Sequence, residues 1–157
     1  MKIALAQISP HLGDTAKNLD LHLRTIEKAR RRKADLIVFP ELSLTGYTLM
    51  DLVPDVAFDP ARHPPFQKLV ARSRTLDIVV GFVEERGRGL FTNSAAYLSG
   101  GRIVHIHRKA FLPTGGMFEE AKFFAPGKSF RAFDTSFGKA GLMVCRDFLS
   151  YGAGYAL

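Results

Sequence analysis

The chain alternates short apolar runs with polar and amphipathic stretches. The apolar runs predict strands at residues 2–9, 34–39, 77–84, 91–98, 102–107, 130–133 and 138–144. Between the first two runs, Leu19, Leu23 and Ile26 recur at helical spacing, and Asp14 or Thr15 is the candidate N-cap of that helix. A second helix is predicted at residues 65–76. Strands that alternate with helices predict an α/β fold.

Two longer stretches, residues 42–65 and 110–128, are rich in Pro, Gly and acidic residues and predict irregular loops. Loops of this length are usually functional. Turns at Gly87–Gly89 and Ser99–Gly101 predict that the three strands between residues 77 and 107 form a meander.

The chain has 157 residues, of which 46% are hydrophobic and 24% are charged, and this predicts one domain over residues 1–157. A single cysteine excludes an intramolecular disulfide, and the N-terminal residues lack the apolar run of a signal peptide. These features predict a cytoplasmic protein. The apolar runs are far shorter than the ~20 residues that span a bilayer, so no membrane association is expected.

A formal net charge of +7 raises the hypothesis of a nucleic-acid partner. The densest basic run, Arg30–Lys33, falls at the end of the first predicted helix, where cations complement the helix dipole. A nucleic-acid-binding module is therefore the least favoured of three hypotheses.

Three chemically different side chains each follow a predicted strand. Glu41 follows Leu36–Val38, Lys109 follows Ile103–Ile106, and Cys145 ends an apolar run that predicts a buried strand. Each has a structural explanation when taken alone: a solvated acid, a surface cation and a buried core thiol. Together they offer a thiol nucleophile, a base and a cation, and strand ends in an α/β sheet tend to converge on one rim.

Other chemistries fit the sequence less well. His105 and His107 face the same side of a strand, but no third ligand stands at metal-binding spacing. A Cys–His pair with either histidine as base stays open. The glycines around Arg88 lack the remainder of a phosphate-binding loop, so no nucleotide cofactor is predicted.

Three segments carry a family resemblance: Pro40-Glu-Leu-Ser-Leu-Thr-Gly-Tyr47, Arg108-Lys-Ala-Phe-Leu-Pro113 and Gly141-Leu-Met-Val-Cys-Arg-Asp147. In order and spacing they resemble the three motif regions of the nitrilase, or carbon-nitrogen hydrolase, superfamily. The segments around Glu41 and Leu112–Glu120 look most like the glutamine-hydrolysing amidase domain of NAD synthetases and its stand-alone relatives.

The resemblance implies a Glu-Lys-Cys triad and a four-layer α-β-β-α sandwich. Cys145 would be the nucleophile, Glu41 the general base and later acid, and Lys109 the cation at the tetrahedral intermediate. The backbone N–H of Arg146 would join Lys109 at the oxyanion. Glu120, which fits the family's second glutamate better than the adjacent Glu119, would have an orienting role. The expected substrate is a small amide, with no cofactor and no metal.

Family domains continue well past the cysteine, whereas this sequence reaches only Leu157. The resemblance therefore predicts a domain incomplete at its C-terminus: a fragment, a chain completed by a partner, or a catalytically silent module that offers an interaction surface. An incomplete domain would leave apolar sheet surface exposed to water. Burying a few hundred Å² of it would stabilise the protein by several kcal/mol at about 25 cal/mol per Å², so self-association into a homo-oligomer is expected.

Overall fold

The computed structural model describes residues 1–87 and 89–157. Its strands are β1 (Ile3–Leu5), β2 (Leu36–Val38), β3 (Asp77–Glu85), β4 (Phe91–Ser99), β5 (Arg102–Arg108), β6 (Phe133–Thr135) and β7 (Gly138–Ala140). Its helices are α1 (Thr15–Arg31), α2 (Val53–Val56), α3 (Pro64–Arg72), α4 (Glu120–Phe123) and α5 (Tyr151–Ala156), with 3₁₀ turns at Met50–Leu52 and Cys145–Leu149.

The first five strands form one mixed sheet in the order of the chain. β1, β2 and β3 are parallel, and β3, β4 and β5 are antiparallel neighbours, which confirms the predicted meander. The turn predicted at Gly87–Gly89 includes Arg88, which lies outside the described residues. β6 and β7 form a separate hairpin.

One face of the sheet packs against α1 and α3 to form the main core. Ile78, Val80 and Phe82 alternate along β3 and are fully buried against this helical layer. Leu19 and Ile26 of α1 lie in the same cluster, as their helical spacing predicts. Asp14 caps α1 by accepting the backbone N–H of Lys17 at 3.0 Å.

The opposite face of the sheet carries the alternate residues Val79, Gly81, Ala95 and Tyr97, and residues 140–145 line a cavity with them. This face is where the candidate site lies. Within the described residues, no helix has the length and apolar content that a membrane span requires.

Three strand predictions were wrong in extent. The strand predicted at 130–133 lies instead at Phe133–Thr135. The first strand covers Ile3–Leu5 rather than residues 2–9, matching the three paired residues that β2 offers. The predicted strand at 138–144 stops at Ala140. Val144 is extended, but its N–H goes to the Asp147 carboxylate at 3.1 Å instead of to a neighbouring strand.

Candidate active site

Glu41 begins the loop that leaves the C-terminal end of β2. Pro40 has no N–H to donate to a ladder, so β2 ends and the chain turns across β3. The Leu44 N–H donates to the Gly81 carbonyl at 3.0 Å, and a Cβ on Gly81 would lie only 2.4 Å from the Leu42 nitrogen. The loop therefore rests directly on the sheet backbone and leaves the Glu41 side chain 19% exposed.

Lys109, directly after β5, is fully buried and lies between two carboxylates. Its Nζ is 2.7 Å from Glu41 Oε1 and 2.7 Å from Glu120 Oε1. Burial lowers the pKa of Lys109, but hydrogen bonds to Glu120 and Glu41 outweigh this and hold the pKa above its ordinary 10.5. Lys109 is therefore an ammonium at neutral pH.

Glu120 opens α4 and is buried, whereas its neighbour Glu119 is exposed and pairs with Lys122. Besides Lys109, the Glu120 carboxylate accepts a hydrogen bond from the Tyr47 hydroxyl. Burial, followed by this contact with Glu120, raises the pKa of Tyr47. The structure thus places Glu120, and not Glu119, against the buried ammonium.

Cys145 is exposed, so its interpretation as a buried core thiol was wrong. It begins a 3₁₀ turn with φ of 48°, a conformation that L-residues rarely adopt. Together with Glu41 it lines a cavity of about 340 Å³ whose other walls include Val38, Val79 and Ala95. The thiol and the Glu41 carboxylate therefore share one cavity, and the Lys109 ammonium contacts that carboxylate.

Neither candidate histidine has a hydrogen bond to Cys145 among the described residues. His107 Nε2 lies 2.8 Å from Asp147 Oδ2, and the His105 ring stacks on Phe133 with centroids 4.5 Å apart. In the same part of the chain, no group of three or more His, Cys, Asp or Glu is placed to hold a metal ion.

The sequence interpretation missed two polar residues at the site. Buried Asn93, on β4, donates from Nδ2 to Glu41 Oε1 at 2.7 Å. Asp147, two residues after the thiol, is fully buried. A signal for Asn93 exists, because Thr92-Asn-Ser94 is a polar run inside a strand whose centre is otherwise buried and apolar.

The profile of the family described as carbon-nitrogen hydrolase matches residues 2–150. The chain belongs to the carbon-nitrogen hydrolase family. The chain is 35% identical over 149 residues to a glutamine-dependent NAD(+) synthetase of Acinetobacter baylyi, covering 95% of this chain and 27% of that protein. It is 33% identical over 154 residues to a nitrilase of Pyrococcus abyssi, covering 94% of this chain and 56% of the nitrilase.

Solved structures show the same fold. The glutamine-dependent NAD+ synthetase of Acinetobacter baumannii superposes with a TM-score of 0.83 at 33% identity, over 98% of this chain and 29% of that chain. The expected α/β fold of the nitrilase type is confirmed. The chain spans about a quarter of the length of these synthetases.

Proposed function

We propose that this chain hydrolyses a small non-peptide carbon-nitrogen bond through a thioester on Cys145. One observation carries the proposal: the buried Lys109 ammonium lies 2.7 Å from each of two carboxylates, and one of these, Glu41, shares a cavity wall with the exposed Cys145 thiol. Such a set supplies a base, a fixed cation and an accessible nucleophile.

The base is assigned to Glu41. Within the described residues, both hydrogen bonds to this carboxylate, from Lys109 and Asn93, end on Oε1. Oε2 is therefore the oxygen that takes the Cys145 proton as the sulfur attacks the carbonyl carbon. The carbonyl π electrons move to oxygen, and the Lys109 ammonium and the Arg146 N–H are the donors assigned to that oxyanion.

The second half of the reaction reverses the roles. The tetrahedral intermediate collapses, the C–N bond breaks, and the protonated Glu41 gives its proton to the departing amine. Water then loses a proton to Glu41 and attacks the thioester, and the sulfur leaves as the thiol when that proton returns. Lys109 stays an ammonium throughout.

The side-chain amide of glutamine is the substrate best supported by the relatives. The 35%-identical synthetase is named glutamine-dependent, and the match covers the part of the chain that carries Glu41, Lys109 and Cys145. Hydrolysis would release glutamate and ammonia. A simple amide or a nitrile is the alternative favoured by the 33%-identical nitrilase.

Intact-mass analysis during incubation with glutamine, simple amides and nitriles tests this proposal. We expect an adduct of acyl mass on Cys145 and release of ammonia, neither of which should appear in Cys145→Ala. Glu41→Gln should lose turnover because both proton transfers need a carboxylate. If Cys145 forms no adduct and alkylates no faster than free cysteine, the chain is a catalytically silent module instead.

A further inference from the structure

The backbone at Cys145 is held in a strained conformation. Its φ of 48° lies in the left-handed region, which a side chain with a Cβ adopts at a cost, whereas Val144 before it is extended. Such a conformation persists only where surrounding contacts over-determine it. Cys145 is itself exposed, so the contacts that fix it come from its neighbours.

Asp147 supplies those contacts from a fully buried position. Its Oδ2 accepts the Val144 N–H at 3.1 Å, and its own N–H donates to the Val144 carbonyl at 3.0 Å. These two hydrogen bonds join Val144, before Cys145, to Asp147, after it. The backbone and the side chain of one residue, Asp147, therefore hold the turn that presents the thiol.

The same carboxylate reaches the strand end that carries Lys109. Its Oδ1 accepts the N–H groups of Ala110 and Phe111 at 3.0 and 2.9 Å. Its Oδ2 also accepts Nε2–H of buried His107, two residues before Lys109, at 2.8 Å. Four acceptor bonds on one carboxylate therefore join the thiol turn to both sides of the ammonium.

We infer that Asp147 and His107 are a positioning pair that fixes where the Cys145 thiol stands relative to Lys109. The inference rests on the proposed function. Asp147 suits the task because it only accepts hydrogen bonds: burial raises its pKa, but the bonds from His107, Phe111 and Val144 outweigh this and hold the pKa below 3.8. An asparagine in place of Asp147 would point its own NH₂ donor at one of these N–H donors, and no hydrogen bond could form there.

Two pairs of variants test the inference. Asp147→Asn keeps the shape but turns one acceptor into a donor, and His107→Leu removes the imidazole donor. His107→Gln is the conservative variant, since its amide N–H reaches toward the position of Nε2. Glu84→Gln is the matched control, because Glu84 is also a buried carboxylate with four acceptor bonds but lies on the helix-covered face of the sheet.

Turnover and substrate-free alkylation of Cys145 by iodoacetamide are measured well below each melting temperature. We expect Asp147→Asn and His107→Leu to lower kcat on the order of 10²-fold with KM little changed, because misplacement of the thiol disturbs the attack and not the binding. Alkylation at pH 7 should slow on the order of tenfold in both variants. His107→Gln should restore most of each rate, and Glu84→Gln should lower only the melting temperature.

Wild-type kcat and wild-type alkylation in a folded Asp147→Asn or His107→Leu would overturn the inference and leave a purely structural role. If Asp147→Asn does not fold, the comparison of His107→Leu with His107→Gln decides alone. Failure of the proposed function looks different: wild-type protein would turn over no substrate. In that case amide hydrogen exchange still tests whether Asp147 holds the turn at Cys145. Asp147→Asn should speed exchange at residues 144–147 and leave residues 78–82 protected.

Discussion

We predict that buried His22, which contacts the loop after Glu41, makes the stability of the fold dependent on pH. The ring is fully buried on α1, and its Nδ1 lies 2.6 Å from the Asn18 carbonyl, which can only accept a hydrogen bond, so Nδ1 carries the proton. Nε2, 2.9 Å from Ser43 Oγ, then accepts from the hydroxyl of a residue in the Glu41 loop. The neutral ring satisfies both partners, whereas the protonated ring adds a charge to the core.

Burial lowers the pKa of His22 to about 4 from 6.5, although the hydrogen bond to the Asn18 carbonyl acts in the opposite direction. The unfolded chain therefore binds this proton more tightly than the folded chain. The stabilisation is complete above pH 6.5 and is lost as pH falls toward 4. At about 1.4 kcal/mol per pKa unit, the free energy of unfolding should fall by about 2 kcal/mol between pH 7.5 and 5.

Urea unfolding at pH 7.5 and pH 5 measures this loss. His22→Gln keeps an amide near Ser43 without titrating, so it should start less stable and lose about 2 kcal/mol less than wild type over the same interval. His11→Gln, at an exposed position, should lose as much as wild type. Equal losses in wild type and His22→Gln would refute the assignment of the pH dependence to this ring.

Three further predictions concern the groups around the loop. Gly81→Ala places a Cβ 2.4 Å from the Leu42 nitrogen, so the loop must move. We expect the free energy of unfolding in urea to fall by about 1–3 kcal/mol and kcat to fall with it. Gly115→Ala is the control and should match wild type, because a Cβ there has nothing within 4 Å. Lys109→Met leaves the buried Glu120 carboxylate and the partly exposed Glu41 carboxylate without their cation, and it should lower the free energy of unfolding by about 3–5 kcal/mol at pH 7 in the same assay. Asn93→Leu removes one of two hydrogen bonds to Glu41 and should lower kcat about tenfold with the melting curve still cooperative.

Local sequence patterns predicted the helices and strands of the sheet and its helical layer, because each of these elements depends on residues that are close together in the chain. The helical period of Leu19 and Ile26, with Asp14 as cap, sets α1. The run after Asp77, rich in Val and Ile, predicts β3, and Pro40 marks the point where the Glu41 loop leaves the sheet. These features depend on residues close together in the chain, so each could be found from the sequence.

The site needed the structure because its contacts join residues far apart in the chain. Asn93 and Glu41 are separated by 52 positions, and Asp147 lies 40 positions from His107. The run before Cys145 was wrongly predicted as a strand, because an apolar run records burial preference but not where the backbone N–H groups go. There the Asp147 carboxylate, and not a neighbouring strand, takes the Val144 N–H.

The two carboxylates on Lys109 are arranged for unequal tasks in the proposed mechanism. With all three groups ionised, the cluster of Glu41, Lys109 and Glu120 carries one net negative charge. When Glu41 takes the Cys145 proton, it becomes neutral, and Lys109 loses one of its two ion pairs. At the same moment the ammonium must stabilise the oxyanion. The buried Glu120 carboxylate lies 2.7 Å from Lys109 Nζ and takes no part in this proton transfer, so Lys109 keeps a partner. A single carboxylate would have to serve both as base and as counter-ion, and the second glutamate separates those roles.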